Sequence, residues 1–393
     1  MHVFIDFFTK PCYNIYMDFL PKPADFPDTI PYMPFFVDDG SMMYAIKLFE
    51  KCNLRCCHCF EAHADDGIDM RYIHDIPSMV QSHLMKLAEN RFIKTVKFHI
   101  WGGEPFMDSL DDTMFREYDV LCRGLVDAAR KALGSPYIRF VWTSNGVFSN
   151  TERVVSLLGK EYGGMHGEVT FSYDPVGRFK TEAEEQTMVR NFRAFHDLGL
   201  CNAVSITLTK PNIVAYVSGK SRLGEFRSVR IEDGCYTPNQ NVSSLMPTST
   251  DILCFLLWCE RNGFDNVDML EGCRSAAKYE KAHRRCMCRS EFQVSPAGIT
   301  SDCSRHSPYF RHEDFFGDVI VSEKNVNDVS VSMGMEKVGC MECEFLPYCQ
   351  CPCWIAELYA PSDGSSSEIH DFTSKRQFCP FKVMQTELRR RSL

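Results

Sequence analysis

The distribution of cysteine is the feature that most constrains this chain. Thirteen of its 20 cysteines fall into short clusters, and the other seven are scattered as buried structural thiols would be. Disulfides seldom persist in a reducing cytosol, and the N-terminus lacks the basic segment of a secretory signal, so we expect a cytoplasmic protein whose clustered thiols bind metal. The clustered residues are Cys52, Cys56, Cys57, Cys59, Cys286, Cys288, Cys303, Cys340, Cys343, Cys349, Cys351, Cys353 and Cys379.

The spacing of the later cysteines favours iron–sulfur clusters over zinc. Zinc ribbons separate two Cys-x2-Cys pairs by about 15 to 20 residues, whereas only five residues separate Cys343 from Cys349. The run Cys340-x2-Cys343-x5-Cys349-x3-Cys353 is more typical of ferredoxins.

Composition and charge exclude several classes of protein. A chain of 393 residues predicts two to three domains at about 150 residues each, and 45% apolar with 24% charged residues is typical of globular proteins. The net charge of -9 disfavours nucleic acid as a partner. The apolar stretch 253–259 is much shorter than the roughly 18 residues of a membrane span, so we expect no membrane association.

Alternation of β-rich runs with amphipathic segments predicts an α/β fold. Such βα units form a parallel sheet, and six of them predict a partial (β/α)6 TIM-like barrel, with a doubly wound sheet as the alternative. One helix is expected to be capped by Ser109 and to stop at Gly134, and the next to run from Asn150 or Thr151 to Gly163-Gly164. The predicted strands cover residues 42–48, 96–101, 138–143, 168–172, 203–209 and 228–232.

The composition also predicts where the domains divide. Residues 1–40 are rich in proline and aromatic residues and read as an N-terminal extension, and residues 41–270 form the barrel. Residues 271–393 are expected to form a small cysteine-rich α+β cluster-binding domain, which begins with a helix near 274–285 and a hairpin of 291–294 with 299–301.

Four motifs follow predicted strands, so they should meet at the carboxyl edge of the sheet, where sites in such folds lie. The first, Cys52-x3-Cys56-x2-Cys59, supplies three thiolates to a four-iron cluster that needs four ligands. One iron would remain open to a small molecule, as at catalytic metal sites. The other motifs are Gly102-Gly103-Glu104-Pro105, Thr143-Ser144-Asn145-Gly146 and Ser172-Tyr173-Asp174-Pro175.

The first motif, with the residues between its cysteines, closely resembles the cluster loop of the radical SAM enzymes. This resemblance implies that the open iron chelates S-adenosylmethionine and that an electron, delivered by a reductant such as flavodoxin or ferredoxin, cleaves it to methionine and a 5'-deoxyadenosyl radical. It also implies that Gly102, Gly103 and Glu104 bind the methionine ammonium. Asn145 and Ser172 match ribose or carboxylate contacts, and Arg178 matches a carboxylate contact.

The C-terminal third resembles the SPASM extension, which holds two auxiliary four-iron clusters, so that three clusters are implied in all. By this resemblance Cys340, Cys343, Cys349 and Cys379 hold the outer cluster. Cys353 and Cys303, which follows Gly298-x4, hold the inner one with Cys288, for which Cys286 or Cys273 are alternatives. Cys57 and Cys351 are extra to the pattern and are interpreted as packed thiols.

Many enzymes of this architecture modify peptides, so we expect oxidation, as a crosslink, of a ribosomally made precursor peptide. Alternatives are oxidation of a cysteine or serine in a sulfatase, dehydrogenation of a small molecule, and a non-catalytic iron–sulfur or zinc protein. Acid and base candidates near the strand ends are Asp174, Glu232, Asp233 and Tyr236, besides Tyr173 and Cys235.

Overall fold

A computed structural model describes residues 40–59, 68–226, 228–232, 245, 247–264, 267–278, 291–300, 335, 339–340, 343–345, 348–349 and 378–392. The strands are β1 (Ser41–Lys47), β2 (Thr95–Trp101), β3 (Tyr137–Ser144), β4 (Glu161–Tyr162), β5 (Met165–His166), β6 (Glu168–Ser172), β7 (Val204–Thr207), β8 (Val229–Glu232), β9 (Glu291–Ser295) and β10 (Gly298–Thr300). The helices are α1 (Met70–Ala88), α2 (Asp112–Leu133), α3 (Thr151–Leu158), α4 (Glu182–Asp197), α5 (Lys210–Val217), α6 (Ser249–Arg261), α7 (Asp268–Ala277) and α8 (Pro380–Ser392).

Eight strands form one sheet in the order β10-β9-β1-β2-β3-β6-β7-β8. Six of them, from β1 to β8, pair in parallel in chain order, and a helix follows each of these strands. The sheet is open, since the order is linear, with β10 at one edge and β8 at the other. The predicted α/β fold with a partial six-unit barrel is therefore confirmed.

Two helix boundaries differ from the prediction. Helix α2 is capped by Asp111, whose carboxylate accepts the backbone N–H of Met114 at 3.0 Å, rather than by Ser109. Helix α3 ends at Leu158, before the predicted stop at Gly163 and Gly164. These two glycines form the turn of the β4–β5 hairpin instead. Their φ values of 66° and 97° suit the two-residue turn of a hairpin, which favours glycine.

The hairpin of β9 and β10 is present as predicted, and β9 extends the barrel sheet. It pairs in parallel with β1, and the Tyr72 hydroxyl lies 2.9 Å from the carbonyl oxygens of both Lys47 and Val294, to either of which it can donate. The expected domain boundary near residue 270 falls inside helix α7. The extension up to residue 39 lies outside the described residues.

The core between sheet and helices is strongly aromatic, and it anchors the loop that follows β2. Phe106 is fully buried and lies 5.3 Å from the ring of Trp142 and 5.8 Å from that of Phe148. Burial of such a ring is worth about 1.5 to 3 kcal/mol, so it fixes the loop before it. In the part of the chain that is described, no helix is both long and apolar enough to cross a membrane.

Candidate cluster and cofactor site

Loops from separate strands meet at the carboxyl edge of the sheet around residues 52–59, which we call the cysteine loop. The backbone N–H of Glu104 donates to the carbonyl of Lys51 at 2.9 Å, which joins the loop after β2 to the start of the cysteine loop. On the other side, the N–H of Cys57 donates to the carbonyl of Gly177 at 2.9 Å. The fold therefore brings together motifs that lie up to about 120 residues apart in the chain.

The glycines after β2 permit this close approach. Gly102 and Gly103 have φ values of 103° and 51°, which side chains disfavour. A Cβ atom on Gly103 would lie only 2.0 Å from the carbonyl oxygen of Lys51. Only glycine fits at this position, so the pair of glycines is a requirement of backbone packing as well as a match to the family motif.

The sulfur of Cys52 is surrounded by hydrogen-bond donors. It accepts the backbone N–H of Leu54 at 3.4 Å and the side-chain amide of Asn145 at 3.7 Å. The same Asn145 amide donates to Asn53 at 2.7 Å, which ties the loop after β3 to the cysteine loop. Burial raises the pKa of Cys52 to about 11 and also raises that of Cys56, so metal binding here has to release protons.

The donor set of the cysteine loop fits an iron–sulfur cluster. Among the described residues, no three His, Cys, Asp or Glu side chains are grouped so that they could hold a metal ion. Ligands of one zinc ion lie about 4 Å apart, whereas each cysteine of a four-iron cluster binds a different iron. Three thiols on one loop, with two N–H donors directed at the sulfur of Cys52, suit the cluster, and Cys52, Cys56 and Cys59 would hold it.

Glu104, which the resemblance implies as an ammonium contact, also binds groups of the protein itself. Its side chain is fully buried. One carboxylate oxygen accepts the Ser144 hydroxyl at 2.8 Å and the Phe106 N–H at 2.9 Å, and the other accepts the Asn145 N–H at 2.6 Å. Glu104 therefore clamps the loop after β2 to the loop after β3.

We expect Glu104→Gln to lower the free energy of unfolding by about 1 to 3 kcal/mol, because an amide NH2 would face a backbone N–H. Burial raises the pKa of Glu104 to about 7, so the free energy of unfolding of the wild type should fall as the pH rises from about 4.5 to 7. The variant should lack this dependence on pH. Urea unfolding measures both effects. Glu117→Gln, at a partly exposed pair with His74, is the control and should cost less than about 1 kcal/mol. Equal costs for the two variants would contradict the clamp.

Asp174, an expected acid or base, is instead the centre of a buried network. Its carboxylate is fully buried and contacts Arg178 at 2.6 Å and His58 at 3.1 Å. It also accepts the backbone N–H of Thr207 at 2.7 Å and the amide of Asn212 at 3.1 Å. Although burial opposes ionisation, these partners lower the pKa of Asp174 to about 2. These contacts fix Asp174 within the protein, and its role as an acid or base stays a prediction.

The other expected site residues fall in two groups. Ser172 and Glu232 are the last residues of β6 and β8. Both strands run parallel to β7, which lies between them, so the two residues lie at the carboxyl edge of the sheet. The remaining calls lie outside the described residues, and they are Asp233, Tyr236, Cys286, Cys288, Cys303 and Cys353. The Cys57 thiol is exposed, and its sulfur lies beside Gly177, so it is less enclosed than the packed thiol that was expected.

All four cysteines expected on the outer auxiliary cluster are described. Cys340 and Cys349 are buried, and Cys343 and Cys379 are partly buried. Helix α8 begins next to Cys379, and from it Gln385 donates its side-chain amide to the Cys349 sulfur at 3.3 Å. This contact places the helix that follows the last cysteine against the earlier run.

Sequence reasoning missed the polar side chains that support these loops. Asn212 and Gln385 are buried, and each donates to a residue of the site or to its supporting network, as does Ser144, which belonged to a predicted motif but had no predicted role of its own. Their only local signal is a polar residue within a mostly apolar segment, which by itself does not identify a partner. The Asp174–Arg178 pair has an i, i+4 spacing that could have been noticed.

No protein-family model matches this sequence, and no curated protein matches it. Two solved structures of anSMEcpe with bound AdoMet are similar to the chain, with TM-scores of 0.55 and 0.56 and identities of 16% and 17%. The matches cover 90% and 89% of this chain and 97% of each anSMEcpe chain. Streptococcus suis SuiB bound to precursor peptide SuiA matches less well, with a TM-score of 0.47, 14% identity, and coverage of 86% of this chain and 76% of SuiB.

The likeness to anSMEcpe spans almost the whole of both chains, although the sequences have diverged widely. A likeness at this level of identity reports on the fold. By its fold, the chain is therefore similar to the AdoMet-bound anSMEcpe structures.

Proposed function

We propose that this protein is a radical SAM enzyme that oxidatively modifies a peptide substrate. The observation that carries the proposal is the convergence of the cysteine loop with the loops after β2 and β3, joined by the Glu104–Lys51 and Asn145–Asn53 hydrogen bonds. AdoMet bound to anSMEcpe, whose fold the chain shares, supports the same cofactor here.

Different residues of the site would bind the cluster and the parts of the cofactor. Cys52, Cys56 and Cys59 would hold a four-iron cluster, which with S-adenosylmethionine supplies one-electron cleavage of the cofactor and a 5'-deoxyadenosyl radical. By the resemblance, Gly102, Gly103 and Glu104 would contact the methionine part of the cofactor, and the two glycines pack directly against the backbone of residues 48–51, just before the cysteine loop. Asn145, Ser172 and Arg178 are polar side chains of the neighbouring loops that could orient its ribose and carboxylate, and two of the Arg178 nitrogens are already bound to Asp174.

The face of the sheet opposite the helices carries polar side chains, which favours a polar substrate such as a peptide. On β2, Val96, Phe98 and Ile100 are buried in the core, so Lys97 and His99 lie on the other face by strand alternation. His99 is partly buried and hydrogen-bonded to Thr143 of β3 at 2.7 Å. A half-buried surface with donors and acceptors can satisfy the amide groups of a peptide, which an apolar pocket cannot.

Reductive cleavage of the cofactor is the decisive test. The full chain, reconstituted anaerobically with iron and sulfide and reduced with dithionite, should convert S-adenosylmethionine to 5'-deoxyadenosine and methionine without any peptide. It should bind about twelve irons, as three four-iron clusters. Uptake of one or two zinc ions with neither iron nor 5'-deoxyadenosine would overturn the proposal.

The substrate is tested separately from the cofactor chemistry. Co-expression with a candidate precursor peptide should give a peptide that has lost two hydrogens per crosslink, detected by mass spectrometry. An unchanged peptide in the presence of active cofactor cleavage would count against that peptide. A sulfatase or a small molecule oxidised in its place would favour the alternatives instead.

A further inference from the structure

Asp174, Arg178 and His58 form one buried network, in which Asp174 holds the other two side chains in place. A single oxygen of Asp174 accepts Arg178 Nη2 at 2.6 Å, Arg178 Nε at 2.9 Å and His58 Nε2 at 3.1 Å. The second oxygen is held by the Thr207 N–H of β7 and by Asn212 of α5. Because a strand and a helix of the barrel fix the carboxylate, the carboxylate in turn fixes the guanidinium and the imidazole.

This network is built against the cysteine loop. His58 belongs to that loop and is 8% exposed. Next to it, the Cys57 N–H is bound to the Gly177 carbonyl, and a Cβ on Gly177 would lie 2.1 Å from the Cys57 sulfur. Arg178 follows directly and lies 3.3 Å from His58 through Nη2. No side chain larger than hydrogen fits between this segment and the loop.

Arg178 lies beside the cysteine loop, because its Nη2 is 3.3 Å from His58, which stands between Cys57 and Cys59 in the chain. Its guanidinium is only 11% exposed, so water screens its charge weakly. Burial opposes the charged form, but the negative charges of Cys56, Asp174 and Cys59 hold the pKa of Arg178 above its ordinary value. Arg178 therefore has counter-charges on both sides, from the carboxylate and from the thiolates.

We propose that Arg178 is a positioning residue whose buried charge, held in place by Asp174, stabilises the reduced state of the cluster bound by Cys52, Cys56 and Cys59. The inference rests on the proposed function, since it requires that cluster. A cluster gains one negative charge on reduction, and a fixed cation nearby lowers the energy of that state by direct Coulomb attraction. Hydrogen bonds, charge and exposure around the sulfurs are the known means by which a protein sets such potentials.

The test compares Arg178→Gln with Arg178→Lys in the reconstituted full chain. A redox titration followed by electron paramagnetic resonance identifies the relevant cluster as the one whose signal changes when S-adenosylmethionine is added. At the wild-type midpoint potential, we expect the ratio of reduced to oxidised cluster to fall about tenfold in Arg178→Gln, equivalent to a negative shift of about 59 mV. Arg178→Lys keeps the charge and should restore most of the potential.

The control is Arg274→Gln, which removes another partly buried arginine, paired with Glu260 at 2.7 Å on α6 and α7. It should leave the midpoint potential unchanged. A wild-type potential in Arg178→Gln with full iron content would overturn the inference, as would equal loss of iron in both Arg178 variants, which would indicate a purely steric role. A wild type that assembles no cluster, or does not cleave S-adenosylmethionine, would overturn the proposed function instead.

Discussion

Replacement of Cys52, Cys56 and Cys59 together with alanine is expected to abolish cleavage of S-adenosylmethionine and to remove about a third of the bound iron. Alanine offers no donor to iron, and the only other thiol of the cysteine loop is that of Cys57. Iron analysis and 5'-deoxyadenosine formation measure the two effects. The remaining iron should belong to the auxiliary clusters of the C-terminal third.

Cys57→Ala is the matched control, because it removes a thiol from the same loop. The Cys57 sulfur packs against Gly177 and is not part of the three-cysteine pattern, so this variant should keep its iron and its cleavage activity. Loss of the cluster in Cys57→Ala would make Cys57 a ligand and close the coordination of the cluster, which would favour an electron carrier. Cleavage that survives in the triple variant would contradict the assigned site.

Gly103→Ala is expected to destabilise the site more than any other single small substitution. The new Cβ would lie 2.0 Å from the Lys51 carbonyl oxygen, and a φ of 51° is unfavourable for alanine. The conformational cost is about 1 to 2 kcal/mol, and the displaced backbone adds about 1 to 3 kcal/mol. We therefore expect a loss of about 3 kcal/mol or more in urea unfolding, with weaker cofactor binding because the cysteine loop must move.

Gly219→Ala separates the clash from the conformational cost. Gly219 has a similar φ of 70°, but no described atom lies within 4 Å of the Cβ that would be added. This variant should lose only about 1 kcal/mol, from the backbone conformation alone. Equal losses in the two variants would show that the loop after β2 can move away from Lys51 at little cost, contrary to the tight packing described here.

Local pattern in the sequence determined the fold class. Short β-rich runs predicted all six parallel strands, and β6 matches its predicted bounds of 168–172. The hairpin of β9 and β10 was predicted from a short turn between two β-rich runs. These signals are local, because side-chain pattern and turn residues act within a few positions of the chain. They can therefore be interpreted without knowledge of tertiary contacts.

The motifs of the site could also be located from the sequence, because parallel strands place their carboxyl ends at one edge. The roles of individual side chains could not. Glu104 and Asp174 were expected to meet cofactor or substrate, and each is also buried and bound to protein donors, some of them more than 30 residues away in the chain. Which oxygen meets which N–H depends on how the strands and helices pack. For the same reason the pairing of β9 with β1, and the place of Arg178 beside His58, were decided only by the tertiary structure.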